Sequence, residues 1–391
     1  MMIRTFHSIG QGAFYTEEFD NFTFVYDCGT ETVGVDVHGK STNSKERINT
    51  YVMDYFESKK IINFLFISHF HKDHINGLEC LLSNYNVKHI FIPQYDIYER
   101  VIELININNE NTHDEIEINI NLFDNELILE PIKTIKAIST DIKVTLVKHD
   151  YGDNTIDDDT SDYEVSPDNY LNSGELLSSP IPNWIFIPIN YKNKFRSRVF
   201  SEELKKLNIE FRNTDDFVKS WGDKDKRRNI ISIFKGLSSK VNENSMVVYS
   251  GSSINNYSFG YINHISLTGK EIEESRINFE RNILGMNESG CIYFGDYEAK
   301  NKGALELIKN RLKEYYNSVC TIQIPHHGSF ENYSKDINER RNIYSVISYG
   351  EKNRHKHPSP CTRKLIEKNA GILFEVTEKP STILRFFIDE R

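Results

Sequence analysis

The chain has 391 residues, enough for one large core or for two or three smaller domains. Its 47 Lys and Arg against 57 Asp and Glu leave a formal net charge of -10 and a pI near 5.8, so no global basic field draws in nucleic acid. No run of about twenty apolar residues occurs and the N-terminus lacks the apolar stretch of a signal peptide, so no membrane contact is expected and a cytoplasmic protein is. The five cysteines (Cys28, Cys80, Cys291, Cys320 and Cys361) are widely spaced without a Cys-x-x-Cys pair and read as free thiols.

Met2 to Phe6 predicts a first strand, and Gly10-Gln11-Gly12 a tight, glycine-bearing hairpin turn. Phe22 to Tyr26 is a second strand that runs into Asp27-Cys28-Gly29-Thr30. Residues 31–50 are polar and read as a loop, with a helix expected from Ile48 to Lys59. Ile61 to Ile67 then holds six apolar residues in seven, the mark of a strand buried on both faces. It leads straight into Ser68-His69-Phe70-His71-Lys72-Asp73-His74. On extended backbone His69 and His71 project to the same side. Asp73 and His74 follow where the chain turns into a helix, since Ile75, Leu78, Leu81 and Leu82 recur at helical spacing. Imidazole and carboxylate suit zinc and similar borderline metals. Two such groups at the strand end and two on the next turn can face two separate ions.

Val87 to Pro93 predicts another strand, with His89 a structural histidine inside it, and Tyr95 to Ile105 a helix. Residues 106–125 are rich in Asn, Glu and Asp and read as a flexible connection. Ile142 to Val147 is a strand ending at His149. From 151 to 180 Asp153, Asp157, Asp158, Asp159, Asp162, Glu164 and Asp168 crowd a stretch with little apolar content, which reads as acidic insertion rather than core. Asp157 to Asp159 lack the spacing and glycine of a calcium loop. The expected organisation is one domain over 1–391 with an insertion at 151–240. That insertion continues through a strand at Trp184 to Pro188, a helix near Ser201 to Leu207, and a basic run of Lys219, Lys224, Lys226, Arg227 and Arg228. The run reads as a solvated face or a polyanion contact.

Core strands resume at Asn242 to Tyr249 and at Gly290 to Phe294, the latter ending in Gly295-Asp296. Gly303 to Tyr316 predicts an amphipathic helix with Leu305, Ile308, Leu312 and Tyr316 on one face. Cys320 to Ile324 is a strand ending in Pro325-His326-His327-Gly328-Ser329. Val346 to Gly350 precedes Asn353-Arg354-His355-Lys356-His357-Pro358-Ser359. Ser359 before Pro360 suits the cap and first turn of a helix through Lys368. Thr382 to Ile388 alternates as a closing strand.

Three buried strands thus end in metal-competent residues: His69 and His71, then Asp296, then His326 and His327. An α/β alternation stacks strand ends along one edge, so a single pocket is expected. A carboxylate at Asp296 can bridge two ions roughly 3.5–4 Å apart. Of the two adjacent histidines, one is expected to be a ligand and the other to face substrate; His326, nearer the strand end, is slightly favoured as the ligand.

His-x-His-x-Asp-His after a buried strand resembles the metal motif of the metallo-β-lactamase superfamily. Gly-Gln-Gly, Asp-Cys-Gly, Asn-x-Asn-Ser before a Val-Val strand, Gly-Asp, Pro-His-His-Gly-Ser and the late Asn-Arg-x-x-x-His-Pro-Ser narrow the likeness to one branch. They look like the metallo-β-lactamase domain of the competence DNA-uptake channel and its soluble relatives, over about residues 1–150 and 240–391. The resemblance implies an α/β fold, an αββα sandwich with a dinuclear site at one edge and the Asp-Cys-Gly turn beside it. It also implies two divalent ions, Zn²⁺ or else Mn²⁺, and hydrolysis of DNA or another phosphodiester. Two departures stand out. Many members of this branch carry Asp where this chain has His71. The superfamily's usual third histidine is not evident; Asn242 or Asn244 occupies that neighbourhood, and His149 and His264 are candidates to replace it.

Carried over residue by residue, the resemblance puts one ion on His69, His71 and Asp296 and a second on Asp73, His74, Asp296 and His326, with an activated water between them. Asp73 then belongs to the catalytic apparatus, and His327 or His357 could protonate the leaving oxygen or bind a phosphate oxygen. Lys352, Arg354 and Lys356, with Ser359, are candidate substrate contacts. The rivals are a metal-dependent hydrolase of an ester, lactone, β-lactam or phosphocholine-type substrate, and a metal-stabilised binding module without catalysis.

Overall fold

A computed structural model describes residues 1–35, 41–57, 60–109, 116, 118–150, 162–191, 195–237, 245–253, 257–264, 288–339, 343–369 and 371–390. Two mixed sheets face each other. The first runs, in spatial order, Tyr257–His264, Leu384–Glu390, Met2–Phe6, Tyr15–Phe19, Phe22–Tyr26, Ile61–Phe66, Asn86–Pro93, Lys143–Val147 and Asn169–Leu171. The second runs Leu177–Ser178, Trp184–Ile189, Val247–Ser252, Gly290–Tyr293, Val319–Gln323, Tyr344–Ser348 and Ile372–Val376.

Strand alternation sorts the apolar residues into three cores and so makes the molecule four layers deep. In the first sheet Phe24, Tyr26, Phe66 and Phe91 point to the other sheet, while Val25, Leu65, Ile90 and Ile92 lie under helices. In the second, Trp184 and Phe186 point between the sheets and Ile185, Ile187 and Ile189 lie under the opposite helical layer. The layer between the sheets is largely aromatic: Phe24 stacks on Phe186 at 5.0 Å and Tyr26 on Tyr293 at 5.2 Å. The result is an αββα sandwich, the fold class expected.

Every strand pair from Phe22–Tyr26 through Asn169–Leu171 is parallel, as is every pair from Gly290–Tyr293 through Ile372–Val376. Parallel strands send all their C-terminal ends to one edge, where open α/β sheets place their sites. The opposite end is closed by a buried ion pair. Arg4 Nε lies 2.7 Å from Glu17 Oε1, both side chains fully buried, and Tyr293 and Ser250 donate hydrogen bonds to the same carboxylate.

Several expectations shift. The first long helix is Ser44–Tyr55 rather than Ile48 to Lys59, because the Asn43 side chain caps it by accepting the Glu46 N–H. The connection over 106–125 is shortened at both ends by the helices Ile97–Asn109 and Phe123–Leu129. The segment 151–240 is partly framework: Asn169–Leu171 joins the first sheet, and Trp184–Ile189 pairs along its whole length with Val247–Ser252. The helices Phe195–Lys206, Thr214–Gly222 and Lys224–Gly236 add to the outer layer through Phe200, Leu204, Phe217, Trp221, Ile230 and Phe234. Asp157 to Asp159 lie outside the described residues. Among the described residues no helix is long and apolar enough to cross a membrane.

Candidate metal centre

The turn bearing Asp73 and His74 is held from behind by the two glycine turns. Ala13 N–H donates to the Asp73 carbonyl at 3.1 Å and Cys28 N–H to that of His74 at 2.9 Å. Only glycine fits so close an approach. Gly12 sits at φ +146°, and a Cβ there would lie 2.3 Å from the Gly29 carbonyl oxygen and 2.6 Å from that of Asp73. A Cβ on Gly29 would lie 2.6 Å from the Asp73 carbonyl carbon. Gly-Gln-Gly and Asp-Cys-Gly are thus a mould for the His-motif backbone.

The strand ends bring together two groups of ligand-capable side chains. One is His69, His71 and Asp296; the other is Asp73, His74 and His327; within each, the ligand atoms lie within 4.8 Å of one another. Asp296 faces both. Its Oδ1 is 3.3 Å from His74 Nε2 and 3.9 Å from His327 Nε2, and its Oδ2 is 3.9 Å from His69 Nε2 and 3.6 Å from His326 Nε2.

Each imidazole is pinned through its other nitrogen. His327 Nδ1 lies 2.9 Å from the Ser348 carbonyl oxygen, which only accepts, so Nδ1 carries the hydrogen and Nε2 points at Asp73 Oδ2, 3.1 Å away. His74 Nδ1 donates to Asp27 Oδ2 at 2.8 Å. Asp27 is fixed in turn by the backbone N–H and hydroxyl of Ser68, both at 2.7 Å. His69 Nδ1 lies 2.8 Å from Ser68 Oγ and 3.0 Å from Ser245 Oγ, and Ser245 also accepts the Asp296 backbone N–H. His326 Nδ1 donates to Asn332 Oδ1 at 2.9 Å, and the Asn332 amide donates to the Asp296 carbonyl. His71 is held by Glu103, whose Oε2 is 2.8 Å from Nε2. Partners that fix the ring and bare the opposite nitrogen are what metal-binding histidines need.

Burial opposes charge on His74 and His327, yet the carboxylates of Asp296 and Asp73 raise both above the ordinary histidine value, His74 most of all, helped by Asp27. His71, half-buried, is lifted by Glu103 to about 8 against the opposing loss of solvent. Asp73 and Asp296 are held below the usual carboxylate range despite burial, Asp73 chiefly by His74 and His327 and Asp296 chiefly by His326 and His74. His69 is pushed down by burial and by its imidazole neighbours. His69 Nε2, His74 Nε2 and Asp296 Oδ1 are buried without a hydrogen-bond partner. The unprotonated His69 Nε2 faces the Asp296 carboxylate acceptor to acceptor, and the proton that the carboxylates hold on His74 is one that a cation can replace, so cations between these groups relieve the arrangement. The donor set therefore fits divalent metal ions.

A cavity of about 750 Å³ opens on this centre, lined among others by His71, Asp73, Asp296, His326 and His355, by Lys72 and Lys300, and by Glu31, Glu298 and Glu331. His326 and His327 both adopt left-handed backbone, φ +48° and +52°. That turn buries His327 against Asp73 and leaves His326 half-buried at the cavity, the reverse of the ligand preference stated above. His357 packs on His326, ring centres 5.3 Å apart, and burial with the neighbouring imidazoles pushes it down to about 3. Of the late basic loop, His355 lines the cavity; Lys352, Arg354 and Lys356 are exposed, and Arg354 reaches Glu31 at 3.5 Å. Ser359 is half-buried and caps the helix Pro360–Lys368, accepting the Cys361 N–H. His149 lies 3.6 Å from Glu99 and does not enter either group of ligands. Asn242 and Asn244 lie outside the described residues, as does the His264 side chain. Sequence reasoning missed Glu103, Asn332 and Lys300, which nothing local marks, and gave no site role to Ser245 or Lys72, although both lie inside quoted motifs.

No protein-family model matches the chain, and no curated protein matches its sequence. Among solved structures it is similar to the metallo-beta-lactamase fold protein YhfI from Bacillus subtilis, with 7% identity over 100% of this chain and 99% of that one and a TM-score of 0.41.

Proposed function

We propose that the chain is a metal-dependent hydrolase of phosphodiesters, with DNA the first substrate to try. The observation that carries this reading is the pair of His/Asp groups sharing Asp296, with buried nitrogens bared toward carboxylates. His69, His71 and Asp296 would hold one ion, and Asp73, His74 and His327 the other, with Asp296 reaching both. Bound there, two divalent ions supply an acidified water and neutralise charge on the phosphoryl oxygens.

The chain's own groups do the rest. Asp27, Ser68, Ser245 and the Ser348 carbonyl keep the ligand imidazoles aimed, so little reorganisation accompanies reaction. Lys72 and Lys300, on the cavity wall, meet phosphoryl oxygens. His326 moves the proton: Asn332 holds its Nδ1, so Nε2 is the atom that gives a proton to the leaving oxygen. His327 is a ligand in this reading, and His357 supports the His326 ring rather than donating. The sequence motifs of the competence branch favour a phosphodiester over an ester, lactone or phosphocholine-type substrate.

Metal analysis, then assays with bis-p-nitrophenyl phosphate, a p-nitrophenyl ester, nitrocefin, and single- and double-stranded DNA, test the proposal. The expected result is diester cleavage that is lost in Asp73→Ala and His71→Ala. Hydrolysis unchanged in both variants ends the assignment of this site, and turnover of the ester alone replaces the substrate class.

A further inference from the structure

The first ligand group has two imidazoles and one carboxylate, and among the described residues no third histidine joins it. Its partner group also has two imidazoles and one carboxylate, but there His74 is braced by the Asp27 carboxylate and His327 by a backbone carbonyl. In the first group His69 is braced by hydroxyls. The charged brace falls to His71, the one half-buried member of the two groups.

That brace is Glu103. It comes from the helix Ile97–Asn109, a separate element from every ligand. Its Oε2 is buried 2.8 Å from His71 Nε2, an ion-pair contact, and among the described residues no other polar group partners it. Among the described residues no Lys or Arg pairs with it. The helix does not need it for docking, since Val101, Leu104 and Ile105 already bury that element in the core. An otherwise uncompensated carboxylate in such a place is costly unless a cation answers it.

Charge counting gives the same answer. Asp27, Asp73, Asp296 and Glu103 contact the imidazoles of the two groups. Four carboxylates match two divalent cations, with the imidazoles neutral. Without Glu103 the first site faces its ion with one negative charge, shared with its neighbour.

We propose that Glu103 is the positioning residue of the first metal group: it holds His71 by Nε2, turns Nδ1 to the ion, and supplies through the ring the negative charge that a two-histidine group lacks. This rests on the metal reading above. The test is a Co²⁺ titration of ion-free protein followed by heat and by the visible spectrum, for the wild type, Glu103→Ala, Glu103→Gln and Asp27→Asn. Glu103→Ala is expected to weaken one of two binding events by about 10- to 100-fold and to change the spectrum of that ion alone, with Glu103→Gln between it and the wild type. Asp27→Asn, acting through His74, weakens the other event. Two events and a spectrum unchanged in Glu103→Ala overturn the proposal. If that variant does not fold, an unchanged Glu103→Gln overturns it equally. A wild type that takes up no ion removes the metal reading itself, a result distinct from a wild type that binds two ions whatever stands at 103.

Discussion

Replacing His326 by Gln separates a proton donor from a metal ligand. The ring stands at the cavity, Nδ1 fixed to Asn332 at 2.9 Å and Nε2 3.6 Å from Asp296 Oδ2. A positioned general acid contributes about 10²–10⁴-fold, or ~3–5 kcal/mol, when the leaving group needs a proton. A p-nitrophenolate leaves without one, whereas the alkoxide of a dinucleotide does not. His326→Gln is therefore expected to cut kcat/KM on a dinucleotide by at least about 100-fold and on bis-p-nitrophenyl phosphate by only a few fold, with metal content unchanged. Asn332→Ala removes two hydrogen bonds, one to the Asp296 carbonyl and one to the ring, and loss of the second, about 1 kcal/mol, should by itself leave roughly a fifth of wild-type activity on the dinucleotide. Steady-state kinetics at saturating metal, with metal analysis of each variant, decide the matter. Equal losses on both substrates, or loss of an ion in His326→Gln, would refute the assignment and return His326 to the ligand set.

Gly29→Ala should lower metal affinity sharply, because its Cβ must displace the Asp73 backbone, whereas Gly236→Ala meets nothing within 4 Å and should leave affinity unchanged; isothermal titration compares them. Glu17→Gln, which leaves Arg4 buried without its counter-charge, should cost about 3–5 kcal/mol in urea unfolding, and a loss under ~1 kcal/mol would show the pair to be dispensable. His89, half-buried on its strand against Phe91 with Lys143 nearby, is pushed down to about 4 by loss of solvent. It folds neutral, so its contribution is whole above the unfolded value near 6.5 and drains away as pH falls from there to about 4. With the ring partly exposed, screening leaves roughly 1–2 kcal/mol of that loss, and stability measured from pH 7 to 4 should be flatter by that amount in His89→Gln.

What the sequence displays well is chemistry tied to a local signal. Ile61 to Ile67 reads as a strand because six of its seven residues are apolar, and although Ile61 is exposed and Asn63 and Phe64 only half-buried, Leu65, Phe66 and Ile67 are buried where the ligands follow without a break. The cap at Ser359 is legible for the same reason: the residues that form it are neighbours. His326 and His327 resist such reading, since two consecutive left-handed residues reverse which ring turns inward, and neither is a glycine that would announce it. Trp184–Ile189 looked like part of an insertion because the acids before it dominate the composition, while the strand that claims it, Val247–Ser252, lies far along the chain. Glu103 is an ordinary residue in ordinary surroundings until packing carries it to His71, and the Asn-x-Asn-Ser motif that contains Ser245 does not announce that its hydroxyl reaches His69.

The lining of the cavity adds a condition on the substrate. Above about pH 8, where His71 gives up its proton, the five carboxylates Glu31, Asp73, Asp296, Glu298 and Glu331 outnumber Lys72 and Lys300, so the lining of the ion-free cavity is negative and repels an anion. Two divalent cations reverse that balance and leave a small positive excess, suited to the single charge of one phosphodiester link rather than to a long polyanion held along a basic track. Anion binding should then be conditional on metal. Inorganic phosphate titrated into ion-free protein is expected to bind at least ten times more weakly than into the metal-loaded form, and Lys300→Ala should weaken the loaded form severalfold without changing its metal content. Equal phosphate affinity with and without metal would mean that the anion is held elsewhere, and that the charge on this edge of the sandwich serves some other ligand.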